Sequence, residues 1–154
     1  MMPRFGAFLL LGLAAAGCEA PTAPGDRGLL ADARARWQAQ GSDSYTFELN
    51  RGCFCVLGGR QVQVTVKAGA VTWAEYRDSG LAVEQTLLTY LPTVPDLFDL
   101  IQYALDRKAA SFWVEYDPTY GYPTLIQIDY SATAADDEIS YSVRGLTFLE
   151  NPSP

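Results

Sequence analysis

The chain has 154 residues, a formal net charge of −7, 49% hydrophobic residues and no histidine. Acidic balance of this size argues against a nucleic-acid partner and gives no attraction to anionic lipid surfaces. Without histidine there is no common general base, no common zinc ligand and no Ser-His-Asp or Cys-His arrangement, so the reading leans away from an enzyme and no cofactor is expected.

Arg4 gives a positive start, and about a dozen uncharged, mostly apolar residues follow over 5–16. The small residues Ala15, Ala16 and Gly17 then lead into Cys18. This is the pattern of a cleaved secretory segment, and the apolar run is too short to span a bilayer, which takes roughly 20 residues. A cysteine directly after the small residues marks a lipoprotein signal: its thiol carries a diacylglycerol, and cleavage makes it the mature N-terminus. Residues 1–17 are therefore expected to be a signal peptide and Cys18 the lipidation site. Residues 18–28, Pro-, Ala- and Gly-rich without periodicity, read as a tether that lets the folded body clear the headgroups. Residues 29–150 are long enough for one α+β domain with a real core and too short for two, and 151–154 are a tail. The expected address is the bacterial cell envelope. Glu19, in place of an Asp after the lipidated cysteine, leans toward the outer membrane facing the periplasm over the inner membrane.

Within the domain, Leu30, Ala33 and Trp37 share one face of a helix over 29–40 that Gly41 can close. Alternation predicts strands over 44–50 (Tyr45, Phe47 and Leu49 on one side), 61–67 (Val62, Val64, Val66) and 71–76, the last two joined by a tight turn through Gly69. Residues 77–91 carry no assignable pattern. Thr93, Pro95 and Asp96 mark a helix start with Thr93 as N-cap, and Val94, Leu97, Phe98, Ile101, Ala104 and Leu105 form its apolar stripe. A hairpin over 111–116 and 124–130 follows, then a strand over 138–148 with a bulge at Gly145. The fold class is thus α+β: an antiparallel sheet of about six strands, helices packed on one face, in the order α-β-β-β-α-β-β-β. That order suggests two duplicated halves. Trp37, Phe47, Val64, Trp73, Phe98, Ile101, Val114, Ile128 and Tyr141 are the expected core.

Several of these pieces together resemble a family of uncharacterised bacterial lipoproteins. They are the helix ending in Trp37, Tyr45-Thr46-Phe47, Cys53-Phe54-Cys55, Val64-Thr65-Val66 with Gly69, and Leu97-Phe98-Asp99-Leu100-Ile101. The likeness continues through Tyr116-Asp117-Pro118, Gly121-Tyr122-Pro123, Ile128-Asp129 and Asp136-Asp137-Glu138, covering residues 35–148. Resemblance to a domain of unknown function implies location and architecture and no catalytic residues. The element order also resembles the tandem fold of secreted β-lactamase-inhibitor proteins, a fold-level analogy.

Three constellations are candidate sites. In an oxidising envelope Cys53 and Cys55, the two cysteines left after Cys18 is lipidated, are expected to form a disulfide. Residues i and i+2 of a regular strand lie about 6.6–7 Å apart, at the limit for a disulfide, so Gly52 and Gly58-Gly59 must let the backbone kink. A small clip is the leading reading. Thiol-redox chemistry and soft-metal binding through two thiolates are the alternatives, with Arg51 and Arg60 able to lower a thiol pKa. Asp129, Asp136, Asp137 and Glu138, with Asp117 across the preceding turn, are a weak calcium candidate set against ordinary solvated turn residues. Tyr116, Asp117, Tyr120, Gly121 and Tyr122 form either a recognition loop or a plug folded back on the sheet. The functional expectation is a lipid-anchored, non-enzymatic binding or accessory module contacting another envelope protein. A redox or soft-metal role for Cys53 and Cys55 is the alternative.

Overall fold

Alternating apolar side chains along the first strand and a capped amphipathic helix near the middle of the chain generate most of the architecture. The computed structural model describes residues 25–131, 133 and 138–149. The expected signal, Cys18, most of the tether, Asp136, Asp137 and the 151–154 tail lie outside the described residues. Helix α1 is Asp26–Gln40; strands β1 (Tyr45–Gly52), β2 (Gln61–Lys67) and β3 (Ala70–Tyr76) follow. A 3-10 helix, Gln85–Tyr90, occupies the segment without a sequence pattern. Helix α2 (Val94–Arg107), β4 (Ser111–Tyr116), β5 (Pro123–Asp129) and β6 (Glu138–Phe148) complete the chain. The six strands form one sheet in the order β3-β2-β1-β6-β5-β4, antiparallel at every pairing.

The expected α+β class is the one observed, with helices on one face. Tyr45, Phe47, Leu49, Val62, Val64, Val66, Ile126, Ile128, Tyr141 and Val143 point inward from the strands and are buried. Leu30, Ala33 and Trp37 of α1 and Val94, Leu97, Phe98, Ile101 and Ala104 of α2 close over them in one core. Helix α2 starts where the sequence indicates. The Thr93 hydroxyl accepts the Asp96 N–H at 3.3 Å, and the Asp96 carboxylate accepts the Thr93 N–H at 2.8 Å, a complete capping box.

Among the described residues the sheet has three register shifts, of which two bear on the expected phase. Gly145, at φ +59°, lies where β1–β6 pairing jumps from Thr46↔Thr147 to Glu48↔Arg144, so the expected bulge is present and returns Leu146 and Phe148 to the inner side. The second bulge corrects an expectation. Pairing passes from Val66↔Val71 to Thr65↔Trp73, which inserts Thr72 as an extra residue. Ala74 therefore takes the inward position and is fully buried, while Trp73 lies on the open face, 49% exposed. Trp73 is not a core residue. Val114, on the edge strand, is only half-buried.

The two halves are not superposable by translation along the sheet. β1 and β4, the first strand after each helix, stand three antiparallel pairings apart and run in opposite directions. A shift that matched them would have to invert the strands while both helices stay on one face. The outer edge of β3 is partly covered, since Tyr76 N–H bonds the Leu81 carbonyl and Val83 N–H the Ala74 carbonyl.

Candidate functional site

Strand direction decides which candidates can act together. The cysteine loop follows the end of β1 and the tyrosine loop follows the end of β4, so the two lie at opposite ends of the sheet. β1 has eight residues, which separates the ends by about 25 Å at 3.3 Å per residue. Asp129 and Glu138 are cross-strand partners at the cysteine end, whereas Asp117 belongs to the tyrosine end. Asp117 does not join the acidic group.

At the tyrosine end the side chains turn inward. Tyr116 stacks on Phe98 at 6.5 Å, Tyr120 meets Phe148 edge-on at 4.9 Å, and Tyr122 meets Trp37 at 6.4 Å. Gly121, at φ +80°, backs onto the Ala33 carbonyl of α1, where any Cβ would overlap it. The Asp117 carboxylate accepts the N–H groups of Thr119 and Tyr120 and so orders the turn. Burial, with a contribution from Asp26, pushes the Tyr116 phenol up to about 12, Arg34 opposing. Burial and then Asp117 also raise Tyr122. Between Tyr116 and Tyr122 the exposed residues are Pro118 and Thr119.

A cleft of about 340 Å³ opens at this same end, between α1, the start of β1, the β2–β3 turn and the start of α2. Trp37, Tyr45, Pro95 and Phe98 are its apolar walls, with Arg34 and Asp43 among its polar residues. Arg34 lies 5.3 Å over the Phe98 ring and bonds Asp99 at 3.0 Å. These residues come from four separate stretches, so no local pattern announces the cleft.

The cysteine end is built differently. Cys53 and Cys55 have Cα atoms 5.3 Å apart and sulfurs at bonding distance, closer than a regular strand allows. After the pair, the chain turns back through Leu57 at φ +63° and Gly59 at φ +72°. Gly58 N–H bonds the Cys55 carbonyl at 3.0 Å and Gly59 N–H the Arg51 carbonyl at 2.7 Å. A Cβ at Gly58 would fall on the Cys53 carbonyl. Leu57 packs against the core, and the tip is turned out: Phe54 is 95% exposed, with Val56 beside it also exposed.

Beneath the loop, the Arg51 guanidinium lies 5.4 Å over the Tyr141 ring and donates to the Tyr90 carbonyl at 3.4 Å. Its Nε is buried without a partner, and among the described residues no carboxylate forms an ion pair with Arg51. Burial raises the Tyr141 phenol, with Arg51 opposing. Arg60 is held elsewhere, 4.2 Å over Tyr76 and bonded to Asp78.

Of the calcium candidates, Asp129 accepts the Ser131 N–H at 2.9 Å, and Asp136 and Asp137 lie outside the described residues. Among the described residues no group of three or more potential metal ligands gathers. The open face of the sheet carries Trp73, Trp113 and a polar network in which Arg77 meets Glu48 at 3.0 Å and Gln61 donates to the same carboxylate. No helix among the described residues is long and apolar enough to cross a membrane.

Residues 29–148 match the profile of DUF6174, a family of unknown function. This covers the stretch on which the resemblance to an uncharacterised family rests and adds the front of α1. No curated protein and no solved structure matches the chain.

Proposed function

The chain belongs to the DUF6174 family of unknown function, and we propose that it is a lipid-anchored cell-envelope module whose first role is to bind another envelope protein. Arg4, the uncharged 5–16 run and Cys18 support the anchor. The outer membrane facing the periplasm is the preferred address. The observation that carries the binding reading is Phe54, 95% exposed on a loop fixed by a cysteine pair and by glycine turns. Burying such a ring is favourable by about 1.5–3 kcal/mol, and a loop already ordered loses little further entropy when a partner does so.

Two experiments test this. Cys18→Ser should leave the protein unprocessed or move it out of the membrane fraction; normal maturation and membrane fractionation of the variant would remove the anchor. A photocrosslinking residue at position 54 should give a discrete adduct in cells, with position 113 on the open sheet face as control. Equal, diffuse crosslinking from both positions would remove the tip as the contact. A second reading, thiol–disulfide exchange at Cys53 and Cys55, is favoured by one specific observation: Cys55 is exposed while Cys53 is half-buried.

A further inference from the structure

We propose that Phe54 is the docking anchor of a thiol–disulfide exchange site, whose partner is a dithiol protein with an apolar recess beside its reactive thiol. This rests on the second reading above and gives it a direction and a specificity element.

The direction comes from the asymmetry of the pair. Thiolate attack on a disulfide runs in line with the sulfur that leaves. Cys55 is open to solvent, so it receives the attack and Cys53 departs.

The specificity comes from the residue between the sulfurs. Phe54 contributes nothing to the protein's own core, and its exposed ring belongs to the residue next to Cys55 in the chain. A small dithiol need not touch it. In the first step the partner's thiolate forms an S–S bond to Cys55 Sγ, the Cys53–Cys55 bond breaks, and Cys53 leaves as a thiolate that takes a proton. In the second step the partner's other thiol, losing its proton, attacks its own sulfur in the mixed disulfide and Cys55 leaves. The partner dithiol is oxidised to a disulfide and the Cys53–Cys55 pair is reduced to two thiols, a transfer of two electrons.

The full chain, purified in detergent, is mixed with dithiothreitol or with reduced thioredoxin as the dithiol protein, and thiols are counted by alkylation and mass. Both reagents should reduce the folded wild type. Phe54→Ala should lower the thioredoxin rate roughly tenfold, as loss of an interface anchor does, while leaving the dithiothreitol rate unchanged. Leu81→Ala, which removes an apolar side chain 67% exposed outside the loop, should change neither. A thioredoxin lacking its second thiol should be trapped on Cys55. Equal rates for Phe54→Ala and wild type with thioredoxin would overturn the anchor, and trapping on Cys53 would overturn the direction. If thioredoxin leaves the folded wild type oxidised, whatever dithiothreitol does, the exchange site is overturned; the crosslinking test from position 54 then decides the binding reading separately.

Discussion

The phenol oxygen of Tyr45 accepts the backbone N–H of Val94 at 2.9 Å, tying the first residue of β1 to the first residue of α2 across 49 positions of sequence. Both residues are buried, and Val94 N–H is one of the donors that a helix start leaves without an intrahelical partner. A core tyrosine thus completes the cap that Thr93 and Asp96 begin. Tyr45→Phe keeps the packing but strands that donor, at an expected cost of about 1–3 kcal/mol. Urea midpoints of the two proteins check it; an unchanged midpoint would mean that water replaces the phenol.

The same contact predicts base sensitivity. Burial pushes the Tyr45 phenol from 10.0 up to about 12; Val94 N–H opposes this and Asp96 adds to it. Tyr116 is raised to about 12 as well. Between those values the unfolded chain has released protons that the folded one retains. Stability should therefore be intact below pH 10 and fall progressively as pH rises toward 12. Tyr45→Phe should flatten part of that slope in melts at pH 9 and pH 11. An equal slope in both proteins would assign the loss to other groups.

Cys53 and Cys55 close a ring of three residues, and crosslink stabilisation grows with loop length. Reduction should thus cost at most about 1–2 kcal/mol, while Phe98→Ala in the buried core should cost roughly 3–5 kcal/mol. Denaturant melts of the reduced protein and of the variant give the order. Unfolding on reduction, with Phe98→Ala tolerated, would reverse it.

Trp73 tests the bulge at Thr72. On the open face, Trp73→Ala should cost clearly less than the 3–5 kcal/mol or so of a buried aromatic, and Ala74→Leu, pointing inward, should be the damaging change. The opposite order by thermal melt would mean that β3 pairs in the other phase.

Gly121→Ala should destabilise by at least about 1–3 kcal/mol, because a positive φ and the Ala33 carbonyl both oppose the new methyl. Gly69→Ala meets the first obstacle alone, since nothing lies within 4 Å of its Cβ position. Comparable midpoints for the two variants would show that the tyrosine loop does not press on α1 as described.

By itself the sequence determined the elements whose signals are local. Alternation in Tyr45-Phe47-Leu49 and Val62-Val64-Val66, the Thr93–Asp96 cap and Gly145 each act within a few residues, so their structural consequence is written where they stand. The cysteine pair was legible for the same reason, since no other partner lies within the described domain. Tertiary structure alone decided the rest. An inserted Thr72 rotates Trp73 outward, which only its pairing with β2 can specify, because a one-residue slip sends every later side chain to the other face. The opposite directions of β1 and β4 put the cysteine and tyrosine loops at opposite ends. The inward turn of Tyr116, Tyr120 and Tyr122, and the outward turn of Phe54, depend on whether Phe98, Phe148 and Trp37 lie within reach. Apolar side chains bury wherever a neighbour is available, and neighbours distant in sequence are set by the fold.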